Sequence, residues 1–409
     1  MTTIEYIEKN LPLCIRENKE DNDTLIGLPY PYTVPSIEER FQEMYYWDTY
    51  FVNHALILRG NVQQAINNVE NMFYLIDRFG FMLNGNRDYY IKNSQPPFLS
   101  EMVKDIYNET KDKIWLKKAT DFLIKEYNFW ENERQTEIGL NQYRGVFKQA
   151  INTKMFSGIL RRMRKRPENY TDDELSIQYI IACESGWDLS PRFGFTAQDF
   201  VQIDLNSLLC AMEKNIEYFL EELELEGSAE WNDKFNKRLK LMNEYMLRDG
   251  VFYDYNFKEK KTSDILSCAS LYPMWLGLLT EEQAEATVKR LVKLEAPYGI
   301  YATEKTNSEY VFQWEEPNGW APLHQIAIEG LLRYGYTDKA KELAEKYVSL
   351  IDKSFEETGD IWEKYNVEKG NTQVVQEGVR TMASMLGWTA GVYIYAKNLL
   401  DNFSENLLG

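Results

Sequence analysis

Cysteine and histidine are scarce in this chain of 409 residues, and so is positive charge. The four cysteines, Cys14, Cys183, Cys210 and Cys268, are far apart and form no CxxC pair, which argues against both a zinc site and a dense disulfide framework. Reduced thiols suit a cytoplasm. With only His54 and His324, histidine-rich metal chemistry and a Ser/His/Asp triad are poorly supported, so any acid–base work falls to carboxylates. Lys and Arg number 46 against 64 Asp and Glu, a net charge of −18 that would repel nucleic acid and anionic membranes. No apolar run is long enough to span a bilayer, and Met1 to Tyr6 carry neither a basic region nor an apolar one. The expectation is a soluble cytoplasmic protein. Also missing are Pro/Ser/Gly linkers, low-complexity runs and fixed-period repeats. One domain over 1–409 is therefore expected, with residues 1–35 as a lead-in containing a short helix and an extended Pro/Tyr-rich stretch, Gly27 to Pro35. No feature sets an oligomeric state.

What the chain has in abundance is helical periodicity and aromatic rings. Apolar residues recur at three- and four-residue steps over 47–58, 61–78, 99–109, 115–131 and 172–182. Leu205, Leu208, Leu209, Met212, Ile216, Phe219 and Leu220 form another apolar face, and similar patterns cover 231–247, 281–294, 322–334, 337–351 and 384–400. Strand signals are few, the clearest being Val251 to Phe257, which suggests a small hairpin near Gly250. An all-α fold follows. Long connections dense in polar and aromatic residues suit a closed ring of helical hairpins whose loops meet at one mouth. Ten Trp, 28 Tyr and 20 Phe supply core packing and, with a polar edge and an apolar face, surfaces on which sugars stack.

The connections hold the candidate chemistry. Asp188 lies in Glu184-Ser-Gly-Trp-Asp-Leu-Ser-Pro-Arg192, beside an indole that lowers local polarity and an arginine that can hold neighbouring groups, so its proton affinity is tunable for a general acid. The same context suits an acidic turn residue capping a helix. Glu363, in Trp362-Glu-Lys-Tyr365, is a candidate base, although Glu-Lys pairs are common on solvated faces. Four further clusters stand out: Arg40 to Tyr50, Asn84 to Pro97, Arg166 to Tyr170 and Phe312 to Pro322. Each taken alone also reads as a cap, a turn or a loop ion pair.

Together these strings resemble the trehalase family of glycoside hydrolases. Arg-Phe-x-Glu-x-Tyr-x-Trp-Asp-x-Tyr stands at 40–50, and Gln-Trp-x-x-Pro-Asn-Gly-Trp-Ala-Pro at 313–322 with Glu315 where the family has Asp. Asn-Gly-Asn-Arg-x-Tyr-Tyr and Ser-Gln-Pro-Pro fall within 84–97, Arg-Pro-Glu-x-Tyr at 166–170, Glu-Ser-Gly-Trp-Asp at 184–188 and Glu-Lys-Tyr at 363–365. The resemblance implies an (α/α)6 toroid and an inverting exo-α-glycosidase, with Asp188 as general acid and Glu363 as general base. It implies that Arg40, Phe41, Trp47, Asp48, Asn84, Gln95, Arg166, Glu168, Gln313 and Trp314 hold the sugars, with Gly186 and Glu377 as further members. No cofactor or metal is implied. An inverting pair needs room for a water, so the two carboxyl groups are expected roughly 6.5–9.5 Å apart.

The chain departs from the family in three places. Asn93 replaces an arginine before Ser-Gln-Pro-Pro, Ile37-Glu38-Glu39 replaces a Gly-Gly pair, and Val367 to Gln373 has a single glycine where a glycine-rich lid is usual. Retained carboxylates with altered ligand groups point to the same bond chemistry with altered recognition. The expected substrate is a small neutral disaccharide or glycoside, α,α-trehalose first. The rivals are another disaccharide, or glucosylglycerate or mannosylglycerate, whose carboxylate would want a spare arginine such as Arg87 or Arg192. A third reading is a non-enzymatic sugar-binding protein on the same scaffold.

Overall fold

The computed structural model describes residues 1–38, 40–144, 166–375, 382–384 and 387–405. The chain forms helices α1 (Thr3–Asn10), α2 (Tyr46–Leu58), α3 (Val62–Phe79), α4 (Leu99–Thr110), α5 (Lys113–Arg134) and α6 (Asp172–Glu184). These are followed by α7 (Ile203–Glu222), α8 (Ser228–Tyr245), α9 (Tyr272–Trp275), α10 (Glu281–Leu291), α11 (Ala321–Arg333), α12 (Thr337–Thr358) and α13 (Gly387–Glu405). Starts are set by local chemistry: Thr171 and Thr280 each form a capping box, with Glu174 and Gln283, and Asp112 caps α5.

The packing closes a ring. Inner helices α2, α4, α7, α9, α11 and α13 each touch the next, and α13 returns to α2. Outer helices α3, α5, α8 and α12 pair with them, which makes the fold an all-α toroid. Inner and outer helices differ as their positions require. Helix α2 buries ten residues in succession around its circumference, from Tyr46 to Leu56 with only His54 half-buried, whereas α8 buries only Trp231, Arg238 and Met242. A continuous apolar core runs from Ile7 to Ala396.

Two segments read from the sequence take definite form. The lead-in is built into the toroid: α1 packs on α12, Tyr6 donates to Asp360 at 2.7 Å, and Ile15–Arg16 pairs with Tyr32–Thr33. The small hairpin expected near Gly250 is present, and the rest of the 251–257 run joins a second sheet. Val251–Phe252 pairs with Leu247–Arg248, while Tyr255–Asn256 lies between Phe200–Val201 and Lys261–Thr262. The run divides at Asp254, whose buried carboxylate is drawn to Arg192.

The ring closes tightly because α13 offers a glycine to α2. A methyl group at Gly391 would lie 2.2 Å from the Phe51 carbonyl oxygen, well inside van der Waals contact. Gly391→Ala is expected to push the two helices apart at a cost of about 1–3 kcal/mol, read as a lowered urea midpoint.

Candidate active site

The polar connections lie at one end of the inner helices. Asp48 is in the first turn of α2, Gln95 precedes α4, and Asp188 lies between α6 and α7. Gln313 leads into α11 and Glu363 into α13. The expectation that loops meet at one mouth therefore holds.

Asp188 is fixed on both sides. Before it, the buried Glu184 carboxylate takes hydrogen bonds from Arg134 at 3.0 and 3.3 Å, from the Ser94 amide at 3.0 Å and from the Arg144 amide at 2.6 Å. After it, the fully buried Arg192 guanidinium binds Asp204 at 2.8 Å and Asp254 at 2.8 and 3.0 Å, and lies 4.5 Å over the Trp187 ring. Between these anchors Gly186 has φ +77, and a Cβ there would sit 3.0 Å from the Trp47 indole. Leu189 also takes the left-handed region, at φ 56, which costs about 1–2 kcal/mol for a residue with a side chain.

A short chain of contacts joins the two candidate catalytic carboxylates. Gln313 Nε2 donates to Asp188 Oδ2 at 3.2 Å and to the Asp188 carbonyl at 3.2 Å. Lys364 Nζ donates to Gln313 Oε1 at 3.1 Å and to Glu363 Oε2 at 2.9 Å. Beneath lie five tryptophans. Trp314 stacks on Trp320 at 3.8 Å and packs on Trp187 at 4.9 Å and Trp47 at 6.0 Å, and Trp388 meets Trp47 and Trp320 edge-on.

Other expected residues knit the mouth. Trp47 donates its backbone N–H to Gln95 Oε1 at 3.3 Å, and Asn84 Nδ2 donates to the Ser94 and Cys183 carbonyls at 3.1 and 3.4 Å. Phe41 is half-buried at φ 55, with its ring edge-on to Tyr45. Arg40 is exposed. Arg166 and Glu168 are also exposed, and Arg166 is turned to Asp172 and the Tyr170 carbonyl. Their loop reaches the Gln313 turn through rings, Tyr170 on Phe195 and Phe195 on Phe312. Glu377 lies outside the described residues. Glu315 points to the neighbouring loop, accepting from the Thr306 amide and hydroxyl at 2.6 and 2.5 Å. Neither arginine considered for a carboxylate-bearing substrate is spare: Arg192 is consumed by its two aspartates, and Arg87 by Glu43 at 2.7 Å and Thr24 at 2.9 Å.

Sequence reasoning passed over Lys364, which looked like half of a solvated Glu-Lys pair. It is 1% exposed. The signal available was its place among Trp362, Tyr365 and the catalytic candidate itself.

A helical toroid whose tryptophan-floored mouth holds a carboxylate pair is the architecture of a glycoside hydrolase, and this chain is one. The model of the trehalase family matches residues 4–403, and the chain belongs to that family. It is 30% identical to a periplasmic trehalase of Escherichia coli, covering 97% of this chain and 74% of that protein. A periplasmic trehalase of Xanthomonas oryzae pv. oryzae is 29% identical over 97% of this chain and 73% of its own length. The solved neutral trehalase of Saccharomyces cerevisiae superposes with a TM-score of 0.78 at 29% identity, covering 100% of this chain and 82% of that one. A mannosylglycerate hydrolase of Thermus thermophilus, at 14% identity and a TM-score of 0.68 over 96% of this chain and 99% of its own, shares the fold. The expectation of a cytoplasmic protein is overturned by the Escherichia coli and Xanthomonas oryzae trehalases, which are named periplasmic. Cys14, Cys210 and Cys268 are buried and Cys183 is half-buried, and thiols so dispersed do not select a compartment.

Burial raises several carboxyls, Asp48 and Glu126 the furthest of those with a value. Asp48 is lifted to about 8, first by burial and then by the nearby Glu363 charge, against its own backbone N–H. Glu126 is lifted to about 8 by burial, against a hydrogen bond from Tyr46. Both keep their protons in the folded chain up to about pH 8, while the unfolded chain loses them near pH 4. The folded state therefore binds more protons across that window, and stability falls as pH rises through it. Urea midpoints should decline from pH 5 to pH 8, with a shallower slope in Glu126→Gln. Removing Arg192 instead strands two buried carboxylates, so Arg192→Met should cost about 3–5 kcal/mol in equilibrium unfolding.

Proposed function

We propose that this protein is an inverting α,α-trehalase. Family membership supports the reading, and the observation that carries it is the hydrogen-bonded path from Asp188 through Gln313 and Lys364 to Glu363, which joins the two carboxylates in one site. Asp188 is the general acid: it gives a proton to the glycosidic oxygen as the bond to C1 breaks. Glu363 is the general base: it takes a proton from the water whose oxygen attacks C1 from the opposite face. The separation of about 6.5–9.5 Å that leaves room for this water belongs to the proposal.

Sugar binding is assigned to Arg40, Phe41, Trp47, Asp48, Asn84, Gln95, Arg166, Glu168, Gly186, Gln313 and Trp314, with Glu377 carried from the family resemblance alone. Asp48, neutral at pH 7, can donate as well as accept, which suits a sugar hydroxyl. One catalytic domain over 1–409 is part of the reading. The engagement of Arg87 and Arg192 favours a neutral disaccharide over a glycerate-linked sugar, because a carboxylate placed there would meet no uncommitted guanidinium from either.

Purified protein incubated with trehalose, kojibiose, glucosylglycerate and mannosylglycerate should release glucose from trehalose foremost. Early proton NMR should show α- and β-glucose in equal amounts, because inversion changes only the attacked anomeric carbon; two α-glucose molecules would indicate retention. Asp188→Asn and Glu363→Gln should each lower kcat about 10²–10⁴-fold. A trehalose rate below that on another panel member would reassign the substrate.

A further inference from the structure

Strand Lys364–Asn366 pairs with Asn318–Trp320 so that Lys364 faces Trp320 across the ladder. This register takes the lysine out of solvent, with its ammonium 4.6 Å over the Trp320 ring, 2.9 Å from Glu363 Oε2 and 3.1 Å from Gln313 Oε1. Burying an ammonium is costly unless its donors are used, and these three neighbours compensate it. The arrangement also settles the direction of the Gln313 amide. An ammonium has donors and no acceptor, so the amide oxygen must face Lys364 and the amide nitrogen must face the other way. There it meets Asp188 at both Oδ2 and the carbonyl. A flipped amide would set N–H groups against an ammonium and an oxygen against a carboxylate.

We infer that Lys364 is a positioning residue for both carboxylates at once: it holds Glu363 directly, and it holds Asp188 through the amide of Gln313. The inference rests on the reading of Asp188 as acid and Glu363 as base. When Asp188 has given its proton to the glycosidic oxygen it becomes an anion, and the Gln313 N–H then becomes a charge-assisted hydrogen bond. That donor gains strength as the C1–O bond breaks, so it favours the transition state over the bound substrate. Without the ammonium, nothing in this path forces the amide to present its donor to Asp188, and Glu363 loses the contact that fixes its Oε2.

The test compares trehalose with α-glucosyl fluoride, whose leaving group departs as fluoride without a proton. Both substrates need the base, and only trehalose needs the acid. Lys364→Met should lower kcat on trehalose about 100-fold with KM within about threefold, and lower turnover of the fluoride at least tenfold. Gln313→Leu should lower trehalose turnover at least tenfold more than fluoride turnover, about the range of one acid–base contribution. Should Lys364→Met not fold, Lys364→Gln, which keeps a polar tip, carries the same comparison. The inference is overturned if a folded Lys364 variant keeps kcat within about threefold on both substrates, or if its loss lies in KM alone. It is overturned equally if Gln313→Leu reduces both substrates alike. Wild type and Asp188→Asn separate this from the functional reading. A wild type inert on trehalose sinks that reading itself, whereas an active wild type, with Asp188→Asn hit harder on trehalose than on fluoride, upholds it and leaves the Lys364 variants to decide.

Discussion

The site depends on an arginine that never reaches it. Arg192, wholly buried, gathers Asp204 from the first turn of α7 and Asp254 from the turn between two small sheets, and presses its guanidinium plane against Trp187. Two carboxylates around one guanidinium are tolerable in the interior only because the fork supplies directed donors to both and the Ile203 amide adds another to Asp254. The residue bonded to Trp187 in the chain is Asp188. Asp188 is thus located from behind, by an ion cluster that joins the inner ring to its loop. Glu184 does the same from the other side with Arg134. The result is a short segment pinned at both ends, and the left-handed conformations at Gly186 and Leu189 persist because those anchors over-determine the backbone.

The toroid explains why such different stretches of sequence converge. In a ring of helix pairs, every connection from an outer to an inner helix emerges at the same end. Residues just ahead of α4, α11 and α13, or in the first turn of α2, are therefore brought together without any long-range pairing in the sequence. Inner helices are surrounded by others, so they are apolar all round, and close approach is set by small residues such as Gly391 against Phe51. The polar residues they do carry near the mouth are desolvated by position, which is why the Asp48 carboxyl is pushed up to about 8.

This logic sets what could be read from the chain alone. The helices were legible because burial on one face leaves a three- and four-residue period, and the site was legible as clusters because connections carry little else that is polar and aromatic. The direction in which a charged side chain turns leaves no such mark. Arg192 reads equally as a ligand for substrate or an anchor, and only Asp204 and Asp254, distant in sequence, decide that it is an anchor. Arg166 and Glu168 look like a grip on a diol, yet the arginine turns to Asp172 on the next helix. Lys364 looks solvated because Glu-Lys pairs usually are, and the strand register that buries it is a property of Asn318–Trp320 as much as of its own neighbours. Helix α1 was legible as a helix, but its docking on α12 was not, since a short amphipathic segment does not name its partner.

The charge balance of the mouth follows from the same geometry and bears on the kind of ligand it can hold. Asp188, Glu363 and Asp48 bring three carboxyls towards one place, and Lys364 brings the one ammonium bonded into the path between the first two. Were Asp48 ionised beside Glu363 in a desolvated site, the repulsion would have no nearby compensation from Lys364, which already serves Glu363 and Gln313. Burial resolves this by leaving Asp48 its proton. A neutral acid there turns a third charge into a hydrogen-bond donor, the group that a sugar hydroxyl oxygen needs and that an anionic substrate would not repay. The commitment of Arg87 and Arg192 to partners of their own and the neutral Asp48 thus favour one chemistry. A polyhydroxylated, uncharged ligand gains hydrogen bonds there without bringing further charge into the site.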